Sequence, residues 1–331
     1  MGFIAKSSIS ADAAFISSVC STWRLQQCMY PRAGYIESSQ ILASSGIVSP
    51  TLVPRTSNFL NFNPLIPFKK DFIQKKFMIR INENIQANLF NEFDMRRRTI
   101  VTGRSCHGAS YWLTNPPNWE DNSSIDAAPF RLLLKFSLGM PVLQTPQPCP
   151  DCGAIMDIFG DHAVTCRTAG GVIDKHNSIV KCLAAKMKMV GINCSYEVMN
   201  LNHDSRQRPG DIFIPEFDVF GDGYLDVSVI NTTCSSYLTQ SSKGQLFGAE
   251  IRYSMKSKKY PDLGPRFKPL VVESTGGWHR YSMDVLKLIA GHIASRCTTQ
   301  TSSVLNNLLM GCSFALQKHL GTMMVRRCLG L

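Results

Sequence analysis

Apolar positions recur at helical spacing in one part of this chain and alternate with polar ones in another. After Gly170–Gly171, the residues Ile179, Val180, Leu183, Met187 and Val190 mark one side of a helix that Gly191 stops. From Tyr224 to Ile230 the period falls to two, with Leu225, Val227 and Val229 on one face and Asp226 and Ser228 on the other, which predicts a strand. Asp211–Ile214 reads as a second strand entered through the turn Arg208–Pro209–Gly210, and Tyr196–Glu197–Val198 as a short third. Leu270–Glu273 is an apolar run ending in an acid, and Ala249–Tyr260 reads as a basic helix. Further upstream, Phe130–Gly139 is a short apolar helix closed by glycine.

The first part of the chain is looser. Ala11–Arg24 reads as a helix, followed by a Ser-, Pro- and Asn-rich stretch to about Pro67. Phe68–Met95 is a mixed basic helix that carries Lys69, Lys70, Lys75 and Lys76 and ends in Arg96–Arg97–Arg98. Four prolines between Pro141 and Pro150 place the main boundary there, and Thr299–Leu331 reads as helix. The division expected is 1–140 helical and linking, 141–170 a small metal module, 171–295 the main domain, and 296–331 a helical tail.

Asp226 is an acid in the middle of a β-branched strand, a costly position unless a cation or a hydrogen-bond network stabilises it. A fold-back near residues 218–219 would set it opposite Asp211. The Gly221–Asp222–Gly223 turn signal lies slightly later, so the register stays open at this point. Two carboxylates meeting at one point suit Mg²⁺, which takes one or two carboxylates with waters and phosphate oxygens. Lys256 and Tyr260, four apart, would project from one helix face, and a lysine beside a bound metal can stabilise charge on a phosphate. Ser274–Thr275–Gly276–Gly277 could approach a backbone phosphate. Each residue also has a plainer use: Asp211 could close a turn, Asp226 could pair with a nearby arginine, and Lys256 could lie on a solvated face.

Composition adds a partner and a compartment. The net charge of +11 over 331 residues favours a polyanion, and nucleic acid is the default. With 44% hydrophobic and 18% charged residues the chain is too apolar to be disordered. Twelve cysteines would fit a secreted disulfide framework, but Met1–Cys20 holds a single lysine and no continuous apolar core, so it does not read as an export signal. Lys6 stands where a myristoylation signal needs Ser or Thr, and no run is long enough to span a membrane. An intracellular, reducing setting is expected, with clustered cysteines on metal.

One cluster has metal-ligand spacing. Cys149-Pro-Asp-Cys152 is followed by His162 and Cys166, three thiolates and an imidazole that complete a tetrahedral Zn²⁺ set with no open position. Such a site is structural, and so small a module would take its folding energy from the metal.

Taken in order, these residues resemble the restriction-like endonuclease of the early-branching non-LTR retrotransposons. That module carries a Cys-Cys-His-Cys knuckle, an Arg-His-Asn triplet, a Pro-Asp step, a second acid about a dozen residues on, and a Lys-x-x-x-Tyr pair. Here the knuckle is intact, Lys175–His176–Asn177 stands for the triplet with Lys in place of Arg, and Pro209–Gly210–Asp211 is the Pro-Asp step with one residue inserted. Asp226 matches the second acid, and Lys256 with Tyr260 the final pair. Many restriction enzymes carry a lysine two residues after that acid; Ser228 stands there, so Lys256 substitutes, with Lys258 and Lys259 as alternatives. The likeness covers Cys149 to Gly277, with a weaker likeness upstream to the segment between polymerase and knuckle. The chain holds no adjacent aspartates, so the polymerase site is absent, and it reads as a remnant, a gene piece or a domesticated derivative.

The resemblance implies an α/β (α+β) fold of the PD-(D/E)xK type, a mixed sheet flanked by helices, preceded by the knuckle and a mainly helical N-terminal region. It implies Asp211 and Asp226 as Mg²⁺ ligands, Lys256 and Tyr260 at the phosphate, and Glu197 and Glu273 as further acids of the site. Nucleic-acid contacts would come from Lys175, His176, Asn177, Arg208, Lys258 and Lys259. The expected function is nicking of DNA by phosphodiester hydrolysis in the nucleus, with element RNA as a second partner, no membrane, and self-association left open. The alternatives are a nucleic-acid-binding remnant without activity and a zinc-stabilised scaffold.

Overall fold

The computed structural model describes residues 92–115, 124–196 and 209–330. They belong, Glu92 aside, to a compact unit formed by Phe93–Leu331, and Met1–Glu92 forms a separate one. The helices expected over Ala11–Arg24 and Phe68–Met95 therefore lie outside the described residues up to Asn91.

The unit is a mixed α/β structure. Three helices lead it: α1 (Met95–Arg104), α2 (Tyr111–Thr114) and α3 (Ala127–Ser137). Arg96–Arg98 thus open a helix, where a helix end was expected. Asp94 caps it by accepting from the Arg97 N–H, which satisfies a donor that the first turn leaves orphaned. A two-residue hairpin follows, β1 (Gln147–Pro148) with β2 (Ile155–Met156), and then α4 (Asp161–Thr165) and the long α5 (Gly171–Met189). The apolar positions read from the sequence of α5 are buried at Ile179, Val180, Leu183 and Met187.

The main sheet has four strands in the order β3 (Ser195–Tyr196), β4 (Ile212–Asp218), β5 (Gly221–Ile230) and β6 (Phe267–Glu273). The first three are antiparallel in turn, and β5 and β6 run parallel. A parallel neighbour needs a crossover, here made by α6 (Ser235–Ser241) and α7 (Phe247–Ser257). Two helices close the unit, α8 (Arg280–Cys297) and α9 (Thr301–Met324), ending in a π-turn at Val325–Leu329.

The β4–β5 register is Ile212↔Leu225, Phe213↔Tyr224 and Ile214↔Gly223, then a bulge, then Asp218↔Gly221. The bulge falls where Pro215 has no N–H to give the ladder and Glu216 takes a positive φ of 48°. The reversal is therefore at Val219–Phe220. Gly221–Asp222–Gly223, expected as the turn, lies inside β5. The earlier of the two fold-back positions is the one the chain uses.

The two faces of the sheet differ. Leu225, Val227, Leu270 and Val272 join the large core with α5, α8 and α9, through residues such as Leu183, Ile289 and Leu316. The opposite face has only a small apolar cluster, Ile230, Val271 and Ala249, flanked by Leu246 and Tyr253. Asp226 and Ser228 alternate onto that second face and are covered by α7.

Candidate metal centre and acidic site

The hairpin β1–β2 presents Cys149 and Cys152, while α4 supplies His162 and ends at Cys166 as its cap. The reversal after Cys149 is held by Gly153 N–H on the Cys149 carbonyl and Cys149 N–H on that of Ala154, each at 2.8 Å. The four ligand atoms lie within 4.8 Å of one another, with Cys149 Sγ 4.0 Å from Cys166 Sγ and Cys152 Sγ 3.3 Å from His162 Nε2. A tetrahedral ion with Zn–S bonds of about 2.3 Å separates its sulfurs by roughly 3.8 Å. The donor set and its spacing therefore fit a structural zinc ion, and it is the one such convergence of three or more metal-binding side chains among the described residues.

Three groups of contacts tie the knuckle to the rest of the unit. Arg327, in the C-terminal π-turn, is almost fully buried. It donates from Nε to Asp151 at 2.7 Å, from Nη1 to the Ala163 carbonyl at 2.6 Å and from Nη2 to that of Thr168 at 2.9 Å. Arg326 reaches the other Asp151 oxygen at 2.8 Å. Asp161, beside the ligand His162, accepts from Arg96 of α1 at 2.6 Å and from Thr233 after β5 at 2.5 Å. Lys175 is the third tie. Expected to meet nucleic acid, it is buried at 2% exposure and its Nζ donates to the Val164 carbonyl at 3.1 Å. Burial, with Arg327 adding to it, pushes its pKa down to about 8. It braces the knuckle from inside and offers nothing to a phosphate outside.

The acidic site is assembled where β4 leaves β5. Asp211 immediately precedes Ile212, the first paired residue of β4, whose partner is Leu225, and its N–H is on the Leu225 carbonyl at 2.7 Å. Gly210 lets the two backbones approach: a Cβ there would sit 2.9 Å from the Leu225 carbonyl oxygen. Asp211 Oδ2 takes the place of a ladder acceptor for the Val227 N–H at 2.6 Å, and it also accepts from His176 Nε2 at 2.9 Å. His176 comes from the first turns of α5, where its Nδ1 meets Asn177 Oδ1 at 3.1 Å. Burial works against its charge, but the hydrogen bond to Asp211 and its negative charge, with Asp226 adding to them, hold its pKa above the ordinary histidine value.

On the other side, Lys256 of α7 forms an ion pair with Asp226 Oδ2. The cation that stabilises this buried acid is thus a lysine. Among the described residues the Oδ1 oxygens of Asp211 and Asp226 make no hydrogen bond, and the two side chains are 24% and 9% exposed. His176, Asp211, Asp226 and Lys256 come together from four separate elements. One residue at this site was missed: Arg252, a turn before Lys256, donates from Nε to Ser228 Oγ at 2.8 Å. Its spacing of four from Lys256 was the available signal.

Other expected members lie elsewhere. Glu273 pairs with Ile230, four residues further along β6 than the partner of Asp226, hence about 13 Å along the strand. It is buried, and its carboxylate accepts from the Ala249 N–H at 3.3 Å and the Thr275 hydroxyl at 3.3 Å. Ala249 lies in the first turn of α7, whose own N-cap, Leu246, has no side-chain acceptor, so Glu273 caps that helix from across the core. Burial raises its pKa to about 7.

The Ser274–Gly277 turn is packed, not open to a phosphate. Gly276 has a φ of 103°, and a Cβ on it would lie 2.7 Å from the Ala109 carbonyl oxygen. Tyr260 follows the end of α7, which stops at Ser257, so it does not share a helix face with Lys256; its ring packs edge-on to Phe267 at 5.0 Å. Lys258 and Lys259 are exposed at that helix end. Glu197 and Arg208 lie outside the described residues.

No helix among the described residues is long and apolar enough to cross a membrane. No protein-family model matches the chain, and neither a curated protein nor a solved structure matches it.

Proposed function

We propose that the chain is a metal-dependent DNA endonuclease of the PD-(D/E)xK type, derived from a non-LTR retrotransposon, with a structural zinc knuckle. One observation supports the reading: Asp211, at the entry to β4, reaches β5 with its carboxylate on the Val227 N–H, next in sequence to Asp226, and α7 pairs Lys256 with that second acid. Two carboxylates on one hairpin, one of them paired with a lysine, are a donor set that metal-assisted phosphodiester chemistry uses.

In this reading Cys149, Cys152, His162 and Cys166 would hold Zn²⁺, and Asp211 and Asp226 would hold Mg²⁺. When bound, Mg²⁺ supplies charge neutralisation at the scissile phosphate and lowers the pKa of water. The protein's own groups do the rest. His176 and the Val227 N–H fix the Asp211 carboxylate so that its free oxygen faces one way. Lys256 orients Asp226 and places positive charge beside the phosphate oxygens. The zinc knuckle acts at a distance, by bracing α5, which delivers His176.

The ion pairs on both acids also favour a second reading, a DNA-binding remnant in which those pairs have replaced the metal. A nicking assay on supercoiled plasmid with Mg²⁺, run beside Asp226→Ala, separates the two. Nicking by the parent and background cutting by the variant support the nuclease. Silence from a folded, zinc-loaded parent that still binds the plasmid supports the remnant.

A further inference from the structure

Lys256 and Arg252 lie one turn apart on α7, and both point at the polar face of the sheet. Their situations differ. The Lys256 ammonium is paired with Asp226, so its charge is already matched. Among the described residues Arg252 has no carboxylate partner: its hydrogen bond runs from Nε to the buried Ser228 hydroxyl, and its terminal nitrogens make none. Ser228 and Asp226 are two residues apart on the same face of β5, so their side chains leave the strand roughly 7 Å from each other.

A guanidinium held at Nε keeps its terminal fork open, and that fork matches the oxygens of a phosphate. A half-buried arginine without an anion is also poorly compensated in the free protein. Ser228 alone does not explain the arrangement, because a serine hydroxyl on a sheet can be satisfied by backbone or water without a charge. We infer that Arg252 binds a phosphate of the nucleic-acid strand next to the one held at Asp211 and Asp226, with Ser228 as the positioning residue that aims it. The inference rests on the nuclease reading for which strand is bound, but the phosphate contact itself does not require cleavage.

The test is therefore a binding measurement. Fluorescence anisotropy of a labelled DNA duplex is followed across a salt series, without added divalent ion, for the zinc-loaded parent, Arg252→Gln and Arg252→Lys. Losing one phosphate contact should lower the slope of log affinity against log salt by about 0.9. Arg252→Gln is expected to show that drop. Arg252→Lys should keep the slope but bind several-fold more weakly, because a point charge replaces the fork. A folded Arg252→Gln with the parent's slope overturns the inference. Should that variant not fold, Arg252→Lys decides: affinity equal to the parent's overturns it. If the slope falls as expected while the parent fails to nick plasmid, the phosphate contact stands and the nuclease reading falls alone.

Discussion

The knuckle and the acidic site are both small clusters of polar side chains, yet they are built in opposite ways. The knuckle draws its four donors from one short stretch, Cys149 to Cys166, and folds them around a point with no position left open. The acidic site draws its four members from α5, the turn before β4, β5 and α7, and among the described residues one oxygen of each acid makes no hydrogen bond. The first is a closed set, suited to holding a structure together. The second is open and depends on elements far apart in sequence, as a site that must admit a substrate does.

The contrast can be broken most severely at the knuckle. Cys166→Ser should lose the metal, and with it folding energy on the order of 10 kcal/mol, as for other structural zinc sites. Metal analysis should find one zinc ion per parent chain and none in the variant, whose melting transition should be lost or greatly lowered. A variant that melts with the parent would show that the cluster holds no metal of consequence.

The next effect concerns the ties around the knuckle. Arg327→Met removes a buried guanidinium that serves Asp151 and two carbonyls. Breaking a buried pair costs about 3 to 5 kcal/mol, so the urea midpoint should fall. Retained zinc with an unchanged midpoint would mean that the C-terminal turn is dispensable to the module.

The third sharpens the other side. Glu273 titrates near 7 in the fold against 4.5 when unfolded, a difference of about 3 kcal/mol between its two protonation states. Its folded pKa is raised, so between pH 4.5 and 7 the folded state holds a proton that the unfolded state has lost. Stability from this group is present below that window and declines as pH rises through it. Cys106 lies close by, its thiol pushed up to about 12 by burial and then by Glu273, and stays neutral throughout. Glu273→Gln should therefore melt higher than the parent at pH 8 and nearly with it at pH 4.5. A parent-minus-variant difference that does not change with pH would remove the buried, proton-sensitive cap.

How much of this could be read from the sequence follows the same division. The knuckle was legible because its information is local: ligand type and spacing are the whole of it. The α5 face and the alternation of β5 were legible for the same reason, each having a period written in a single element. The acid pair was half legible. Both residues stood out, but the course of the hairpin did not: the Gly221–Asp222–Gly223 signal lies inside β5, and the bulge after Ile214 moves the reversal one residue on, from 218–219 to Val219–Phe220. Burial was not legible at all. Lys175 looked like a surface cation and is a core brace; Glu273 looked like a site acid and caps a helix. In both cases a partner distant in sequence decides the role. Arg252 was missed for a related reason: its spacing of four from Lys256 was visible, but its contact with Ser228 was not.

The central claim is the proposal that Asp211 and Asp226, carried on one hairpin, form one divalent-cation site. Calorimetric titration of the zinc-loaded chain with Mn²⁺, beside Asp211→Asn and Asp226→Asn, tests it most directly. One ion bound per parent chain, and none in either variant at equal zinc content and melting temperature, is the expected result. Uptake that is the same in all three, or absent from a folded parent, would contradict it.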